Sequence, residues 1–304
     1  MNVIHLKAND KMPIPDLCLC LGFFDGMHLA HRRLFEVTLD TARAVGAKTG
    51  IMTFSNSILA YLKGEKYNAL TQLSDKVNRA RIAGFDYFFV LEVDDDLIGL
   101  SKEVFVERFL KSSVKLIVGF DYTFGKSGKG NVAYLTNELP NQTIVVSEMA
   151  YYGKKIGSRR IRELLQEGRI ELANRLLGYK YQIIGKVIPG KGRGMSLGYP
   201  TANIDYDGYF LPRTGVYHTL IRIHGLIYDS MTNIGFNPTF ANDHLTLETH
   251  VLGIDEQLYD EEIEISFECF LREEIRFPSK EALIAQLKQD EHTVRSIIKS
   301  RRML

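Results

Sequence analysis

Two textures divide the chain. Up to about residue 148, short apolar runs alternate with stretches whose apolar residues recur at helical spacing. Leu17–Phe24, Thr49–Phe54, Tyr87–Leu91, Val114–Val118 and Thr143–Val146 predict strands, and His31–Val45, Ser74–Ala83 and Lys102–Lys111 predict helices between them. Strands alternating with helices of this length imply a parallel sheet with crossover connections. Ser158–Leu177 reads as two short helices interrupted at Gly168. Beyond Tyr181 the runs Tyr181–Ile188, Gly215–Ile223, Leu226–Asn233, Leu245–Leu252 and Glu262–Phe270 are rich in β-branched and aromatic residues, with Gly, Asn, Asp and Pro between them. Successive strands without intervening helices predict a small antiparallel barrel or sandwich. Ser279–Ile298 has apolar residues at 283, 284, 287, 294, 297 and 298, the spacing of an amphipathic helix packed on that sheet. The textures meet near residues 178–184.

Composition narrows the class. The chain has 304 residues, enough for two domains. It carries 38 Lys+Arg against 37 Asp+Glu, so no global field gathers nucleic acid or holds an anionic membrane. The charge is uneven: residues 1–180 carry 25 basic against 20 acidic side chains, and residues 181–304 carry 13 against 17. The basic segments KSGKGN and KKIGSRRIR lack interleaved aromatics and any helix-turn-helix or RNA-binding signature, so nucleotide phosphates or solvent are their expected neighbours. No apolar run approaches the ~20 residues that span a bilayer. MNVIHLKANDKM has no signal-peptide character. Three cysteines, at 18, 20 and 269, do not make a disulfide framework. A cytoplasmic enzyme acting on small molecules, monomeric or weakly oligomeric, is the expectation.

The first candidate chemistry lies in LCLCLGFFDGMHLAH. An apolar strand passes through a Gly-containing turn into a helix beginning near His28. In open α/β sheets ligands bind beyond the carboxyl ends of strands, where helix N-termini present free N–H groups. His28 and His31, three residues apart, fall roughly on one face and can donate hydrogen bonds to phosphate oxygens. Two ordinary surface histidines fit the spacing equally well. Zinc, with Cys18 and Cys20 completing four ligands, fits less well, because cysteine inside an apolar strand behaves as a small hydrophobe.

The second lies in GKVIPGKGRGMSLGYPTAN, where Gly185, Gly190, Gly192, Gly194 and Gly198 follow a strand, with Lys191 and Arg193 between them. Such a loop can close backbone N–H groups around phosphates while cations offset their charge. It is not a Walker A loop and no helix follows it, so a flexible connector is an equal reading of the glycines alone.

LGFFDGMHLAH resembles the G-x-F-D-G-x-H-x-G-H signature of nucleotidyltransferases, and the chain as a whole resembles the bacterial bifunctional riboflavin kinase/FMN adenylyltransferase family. LTQLSDKVNRARIAGFDYFFVLEVDDD, VKLIVGFDYTFGKSGKGN and KIGSRRIRELL match its first half. GRGMSLGYPTAN, NIGFNPTF and LETHVL match its second. The resemblance implies a doubly wound, Rossmann-like α/β nucleotidyltransferase domain over residues 1–180. It implies a small antiparallel β-barrel riboflavin kinase domain with a C-terminal helix over residues 184–304. In the first domain it implies that His28, His31 and Arg162 act on ATP phosphates, with Gly22, Phe24, Asp25, Asp121, Ser158 and Arg159 around the nucleotide and Phe54 and Phe124 lining the flavin pocket. In the second it implies Gly190, Lys191, Gly192, Arg193 and Gly194 at ATP, Thr201 and Asn203 at Mg²⁺ and the phosphates, Asn237 and Thr239 at the flavin, and Glu248 as general base. Substrates would be riboflavin, FMN and ATP, with FAD as final product.

The chain departs from the family pattern in places. Ala30 replaces a glycine, Gly157 and Arg159 replace hydroxyl residues flanking Ser158, SNSI at 55–58 replaces D-P-H-P, and GIDEQLYD replaces D-F-x-x-D-L-Y-G. A riboflavin kinase whose first domain only binds nucleotide or flavin is therefore the alternative. His250, on the same strand face as Glu248, is open to a structural or a functional role.

Overall fold

The computed structural model describes residues 1–190, 194, 198–236, 245–254 and 258–302. The Cα framework divides into two compact units, Met1–Ser158 and Arg159–Leu304.

The first unit opens with β1 (Asn2–Leu6), β2 (Leu17–Leu21), α1 (Leu29–Val45), β3 (Lys48–Phe54), α2 (Ile58–Lys63), α3 (Leu73–Ala83) and β4 (Tyr87–Leu91). It continues with α4 (Asp95–Gly99), α5 (Lys102–Phe105), β5 (Lys115–Gly119), β6 (Thr123–Phe124), β7 (Gly130–Asn131), α6 (Val132–Glu138), β8 (Thr143–Val146), and the short hairpin β9 (Ala150–Tyr151) and β10 (Lys154–Lys155). Six strands form one parallel sheet in the order β1-β4-β3-β2-β5-β8. β2 is buried along its whole length. Leu17, Leu19 and Leu21 enter the cluster on one sheet face, with Phe54, Phe89 and Val118, whereas Cys18 and Cys20 enter the cluster on the other, with Phe35, Phe88 and Ile117. A two-residue period between two apolar layers explains why this strand shows no polar alternation. From β2 the chain builds outward through β3 and β4 on one side, and through β5 and β8 on the other. The topological switch point therefore lies between β2 and β5.

Lys102–Lys111, expected as one helix, begins as α5 and continues as a π-helical turn at Val106–Leu110. The SNSI segment, which had no structural expectation, caps α2: Ser57 Oγ accepts from the Ala60 N–H, and Gly64 ends the helix in the left-handed conformation.

The second unit holds α7 (Ser158–Gln166), whose first residue falls in the first unit, α8 (Ile170–Leu177), β11 (Gln182–Ile188), β12 (Ala202–Ile204), β13 (Gly215–Ile223), β14 (Leu226–Phe236), β15 (Leu245–Val251), β16 (Glu262–Arg272) and α9 (Lys280–Arg302). The six strands close into an antiparallel barrel in the order β11-β12-β15-β14-β13-β16. Ile221, Ile234, Leu247, Ile265 and Phe267 are fully or almost fully buried. Among them runs a chain of buried hydroxyls: Thr219 Oγ1 bonds Ser230 Oγ at 2.7 Å and Thr232 Oγ1 at 2.6 Å, and Thr232 donates to Thr249 at 2.9 Å. α8 is tied to the barrel by Asn174, which donates to the Phe267 carbonyl and accepts from the Tyr181 N–H. α9 is fixed by Val294 against Met231 and by a buried ion pair in which Arg272 grips Asp290 through Nε and Nη2 at 2.7–3.0 Å.

Candidate functional sites

In the first unit the turn after β2 sits at the switch point. Phe24, Gly26 and Met27 all have positive φ (54°, 79° and 35°). A left-handed phenylalanine costs roughly 1–2 kcal/mol, so surrounding structure must hold it. Part of that restraint is packing, since Phe24 is 1% exposed and its ring meets His31 and Phe35 at 5.3 and 5.2 Å. The rest is polar. Asp25 is buried, and its carboxylate accepts from Tyr67 Oη at 2.8 Å and from the Leu70 and Thr71 N–H groups at 2.8 and 3.4 Å. Gly26 N–H donates to Thr71 Oγ1 at 2.9 Å, and Ser158 Oγ donates to the Asp25 carbonyl at 2.7 Å. The Asp25 carboxylate is thus engaged with the protein's own 67–71 loop.

His28 is the N-cap of α1, and its ring stacks on His31 with centroids 3.6 Å apart and planes 17° from parallel. Nδ1 of each ring is buried without a hydrogen-bond partner. Burial lowers the pKa of His28 to about 4, with Asp25 opposing the shift. It holds His31 well below the usual imidazole range, helped by His28 and the Lys76 ammonium. Both rings are therefore neutral at pH 7, so each has one N–H to donate. Across the switch point, Asp121 follows β5 and pairs with Lys155 Nζ, which also lies 4.6 Å from the Phe120 ring centroid. The charges of Asp121 and Lys155 are both felt at His28.

Gly22 lies against the Phe24 ring: a Cβ there would stand 2.7 Å from it. Phe54 and Phe124 belong to one buried cluster, in which Phe124 stacks on Tyr122 at 5.7 Å and meets Phe105 at 5.3 Å. At Gly157 a Cβ would meet only the Lys155 side chain, at 3.9 Å, so neither this glycine nor a serine is imposed by space. Cys18 and Cys20 lie deep in the apolar layer, where burial pushes the Cys20 thiol up to about 12. Arg159 and Arg162 belong to the second unit, where Arg159 pairs with Glu163 at 3.2 Å and the Arg162 guanidinium lies 4.6 Å over the Phe210 ring.

In the barrel, strand register assembles the second site. Asn203 of β12 is the cross-strand partner of Glu248 on β15, and Glu248 is in turn the partner of Asn233 on β14. Directly opposed residues on one sheet face have Cβ atoms about 4.5–5.5 Å apart. These three side chains therefore form a row on the face opposite the buried Leu247, Thr249 and Val251. His250 shares that face and hydrogen-bonds the Pro200 carbonyl through Nδ1 at 2.8 Å, while its ring meets Tyr199 edge-on at 5.0 Å. Tyr199 Oη donates to Glu291 of α9 at 3.1 Å. His250 thus fastens the segment immediately before Thr201.

Gly190 and Gly194 leave no room for a side chain. A Cβ on Gly190 would stand 1.8 Å from Asn203 Nδ2, and one on Gly194 would stand 2.2 Å from the Tyr199 carbonyl and 3.2 Å from Thr201 Oγ1. Gly190→Ala is expected to displace the Asn203 amide, a movement that a crystal structure of the variant would show. Lys191, Gly192, Arg193, Asn237 and Thr239 lie outside the described residues.

Comparison with known proteins shows the family of the chain. A FAD synthetase family model matches residues 11–160, and a riboflavin kinase family model matches residues 177–298. The bifunctional riboflavin kinase/FMN adenylyltransferase of Listeria monocytogenes is 35% identical over 302 residues, covering 96% of each chain. This chain belongs to that family. The bifunctional riboflavin kinase/FMN adenylyltransferases of Bacillus subtilis (32% identity, 90% of this chain and 89% of that one) and Escherichia coli K12 (30%, 94% of each) are also similar. Among solved structures, a crystal structure described as a macrolide-efflux protein from Streptococcus pneumoniae superposes with a TM-score of 0.87 at 29% identity, covering 96% of this chain and 98% of that one. Among the described residues of this riboflavin kinase/FMN adenylyltransferase family member, no helix is long and apolar enough to cross a membrane.

Sequence reading missed Asn233, which no motif carried to a role, and the His250–Pro200 contact. It also missed Lys76, a lysine 4% exposed whose Nζ bonds the Phe23 carbonyl.

Proposed function

We infer that the protein phosphorylates riboflavin to FMN and adenylylates FMN to FAD, each with ATP. The observation that carries this reading is the row Asn203–Glu248–Asn233 in the barrel of a chain that is related over nearly its whole length to bifunctional enzymes.

In the kinase reaction the Glu248 carboxylate accepts the proton of the ribityl 5′-hydroxyl as its oxygen bonds to the γ-phosphorus, and the bond from that phosphorus to ADP breaks. The Thr201 hydroxyl and Asn203 amide are hard oxygen donors set against the close Gly190 and Gly194 backbones, a set that fits Mg²⁺ held jointly with substrate phosphates. When bound, Mg²⁺ would offset charge on the phosphate oxygens.

In the adenylyl transfer an oxygen of the FMN phosphate bonds to the α-phosphorus of ATP, and pyrophosphate leaves. No protein nucleophile takes part, so positioning and electrostatics carry the rate. We assign to His28 and His31 the donation of one N–H each to the phosphates. Gly22, Phe24, Asp25, Asp121 and Ser158 frame the nucleotide, and Phe54 and Phe124 form part of the wall behind the flavin. We further place the enzyme in the cytoplasm, a reading supported by three buried, unpaired cysteines.

The test is chromatographic analysis of products from purified protein with MgATP and riboflavin, and separately with MgATP and FMN, under air and under reducing conditions. FMN in the first incubation and FAD in the second are expected. FMN without FAD in either condition would leave a kinase with a degenerate first domain. Neither product would overturn the assignment.

A further inference from the structure

Lys76 occupies the first turns of α3 and is buried, an unusual place for an ammonium. Its Nζ donates to the carbonyl of Phe23 at 2.8 Å and stands 4.1 Å from the centroid of the Phe23 ring. The same carbonyl accepts from Thr53 Oγ1 of β3 at 3.0 Å. Two donors therefore converge on the peptide group that leads into the left-handed Phe24. The middle of the turn is held by Asp25, whose carboxylate is engaged with Tyr67, Leu70 and Thr71. Two buried charges of opposite sign thus restrain the turn at its start and its middle, and both act on the stretch that leads to His28 at the start of α1.

An ordinary structural contact does not explain the choice of residue. A serine, threonine or amide could bond one carbonyl without burying a charge, and a buried charge is retained at a cost that needs compensation. Here the compensation is electrostatic. Asp25 on the turn and Asp75 on α3 favour the charged ammonium, which in turn faces His31 of α1 and disfavours a second positive charge there. The cation is near enough to His31 for its charge to be felt at that ring.

We propose that Lys76 is the positioning residue of the adenylyl-transfer site: its buried ammonium fixes the Phe23–Met27 turn in the shape that presents His28 and His31 to the nucleotide phosphates and adds positive charge close to His31. This rests on the adenylyltransferase reading of the first domain.

The test compares full-length wild type, Lys76→Met and Lys76→Arg, measuring kcat and KM for FAD formation from FMN and MgATP across pH 6–9.5, with riboflavin phosphorylation in the same preparations as the control for folding. Lys76→Met should lose about 10²-fold in kcat/KM for ATP, the scale of a misplaced constellation, with kinase activity unchanged. The pH profile separates this role from a merely structural one. Burial lowers Lys76 to about 8, and the groups facing it are Asp25 on the turn, Asp75 on its own helix and His31 on α1. The active form is the protonated one, so kcat/KM of wild type should fall as pH rises through about 8. Lys76→Arg should remove that alkaline limb and restore much of the rate, because a guanidinium stays charged throughout the range. Full activity in Lys76→Met, or an alkaline limb in Lys76→Arg identical to that of wild type, would overturn the proposal. If Lys76→Met loses kinase activity as well, the profile of Lys76→Arg decides. Wild type that makes no FAD from oxidised or reduced FMN would overturn the adenylyltransferase reading instead.

Discussion

Glu248→Gln should lower riboflavin phosphorylation by about 10²–10⁴-fold, the range over which a positioned general base contributes, while FAD formation from supplied FMN stays near wild type. The substitution keeps the shape of the side chain but removes the proton acceptor. Strand pairing of β15 with β12 and β14 is made by backbone and is untouched, so Asn203 and Asn233 keep their places. The loss should fall on kcat rather than on KM for ATP, because the carboxylate acts as the hydroxyl oxygen attacks. Parallel rate measurements with riboflavin and with FMN decide the matter. Equal loss of both activities would indicate a damaged fold, and retention of the kinase would remove Glu248 from the chemistry.

The complementary result is expected from His28→Ala combined with His31→Ala. Removing one preorganised donor to a developing charge typically costs about 10²–10³-fold, so FAD formation should fall at least that far while riboflavin phosphorylation persists. The stacked rings act as one unit, and the two single variants should each lose nearly as much as the pair. The pH dependence gives a second check. Burial lowers the pKa of His28 to about 4. A group depressed in this way protonates only as pH falls through that value, so kcat/KM for FAD formation should show no acid limb near the ordinary imidazole value of about 6.5. A limb at that position, absent in the double variant, would mean that the imidazoles work in their charged form.

Much of the architecture was readable along the chain because it depends on local periodicity. Tyr87–Leu91, Thr143–Val146 and Gly215–Ile223 begin and end where the residue pattern places them. The break between α7 and α8 falls around Gly168, whose φ of 73° suits glycine. β1 and β12 escaped notice for a physical reason. Five residues at a sheet edge, and three residues following a glycine loop, carry too few buried positions to show a period. The candidate sites divide in the same way. Residues in motifs could be named, whereas Asn233 and Lys76 owe their significance to partners on other strands and turns, in the first case fifteen residues away and in the second more than fifty. His250 could be placed on the Glu248 face by counting alternate residues, but its contact with Pro200 spans fifty residues and belongs to the tertiary fold.

The hydroxyl chain inside the barrel bears on assembly. Thr219, Ser230, Thr232 and Thr249 come from three adjacent strands, and their mutual bonds form only in the native alignment. A shift of β14 by one residue would turn Ser230 and Thr232 outward and strand their partners in an apolar interior, at about 1–3 kcal/mol for each orphaned group. The same shift would carry Asn233 away from Glu248. An interior of valines would tolerate a misaligned barrel that looks complete yet cannot phosphorylate. The buried threonines and serine instead make misassembly and inactivity fail together, so chains that close successfully are selected for a competent outer face.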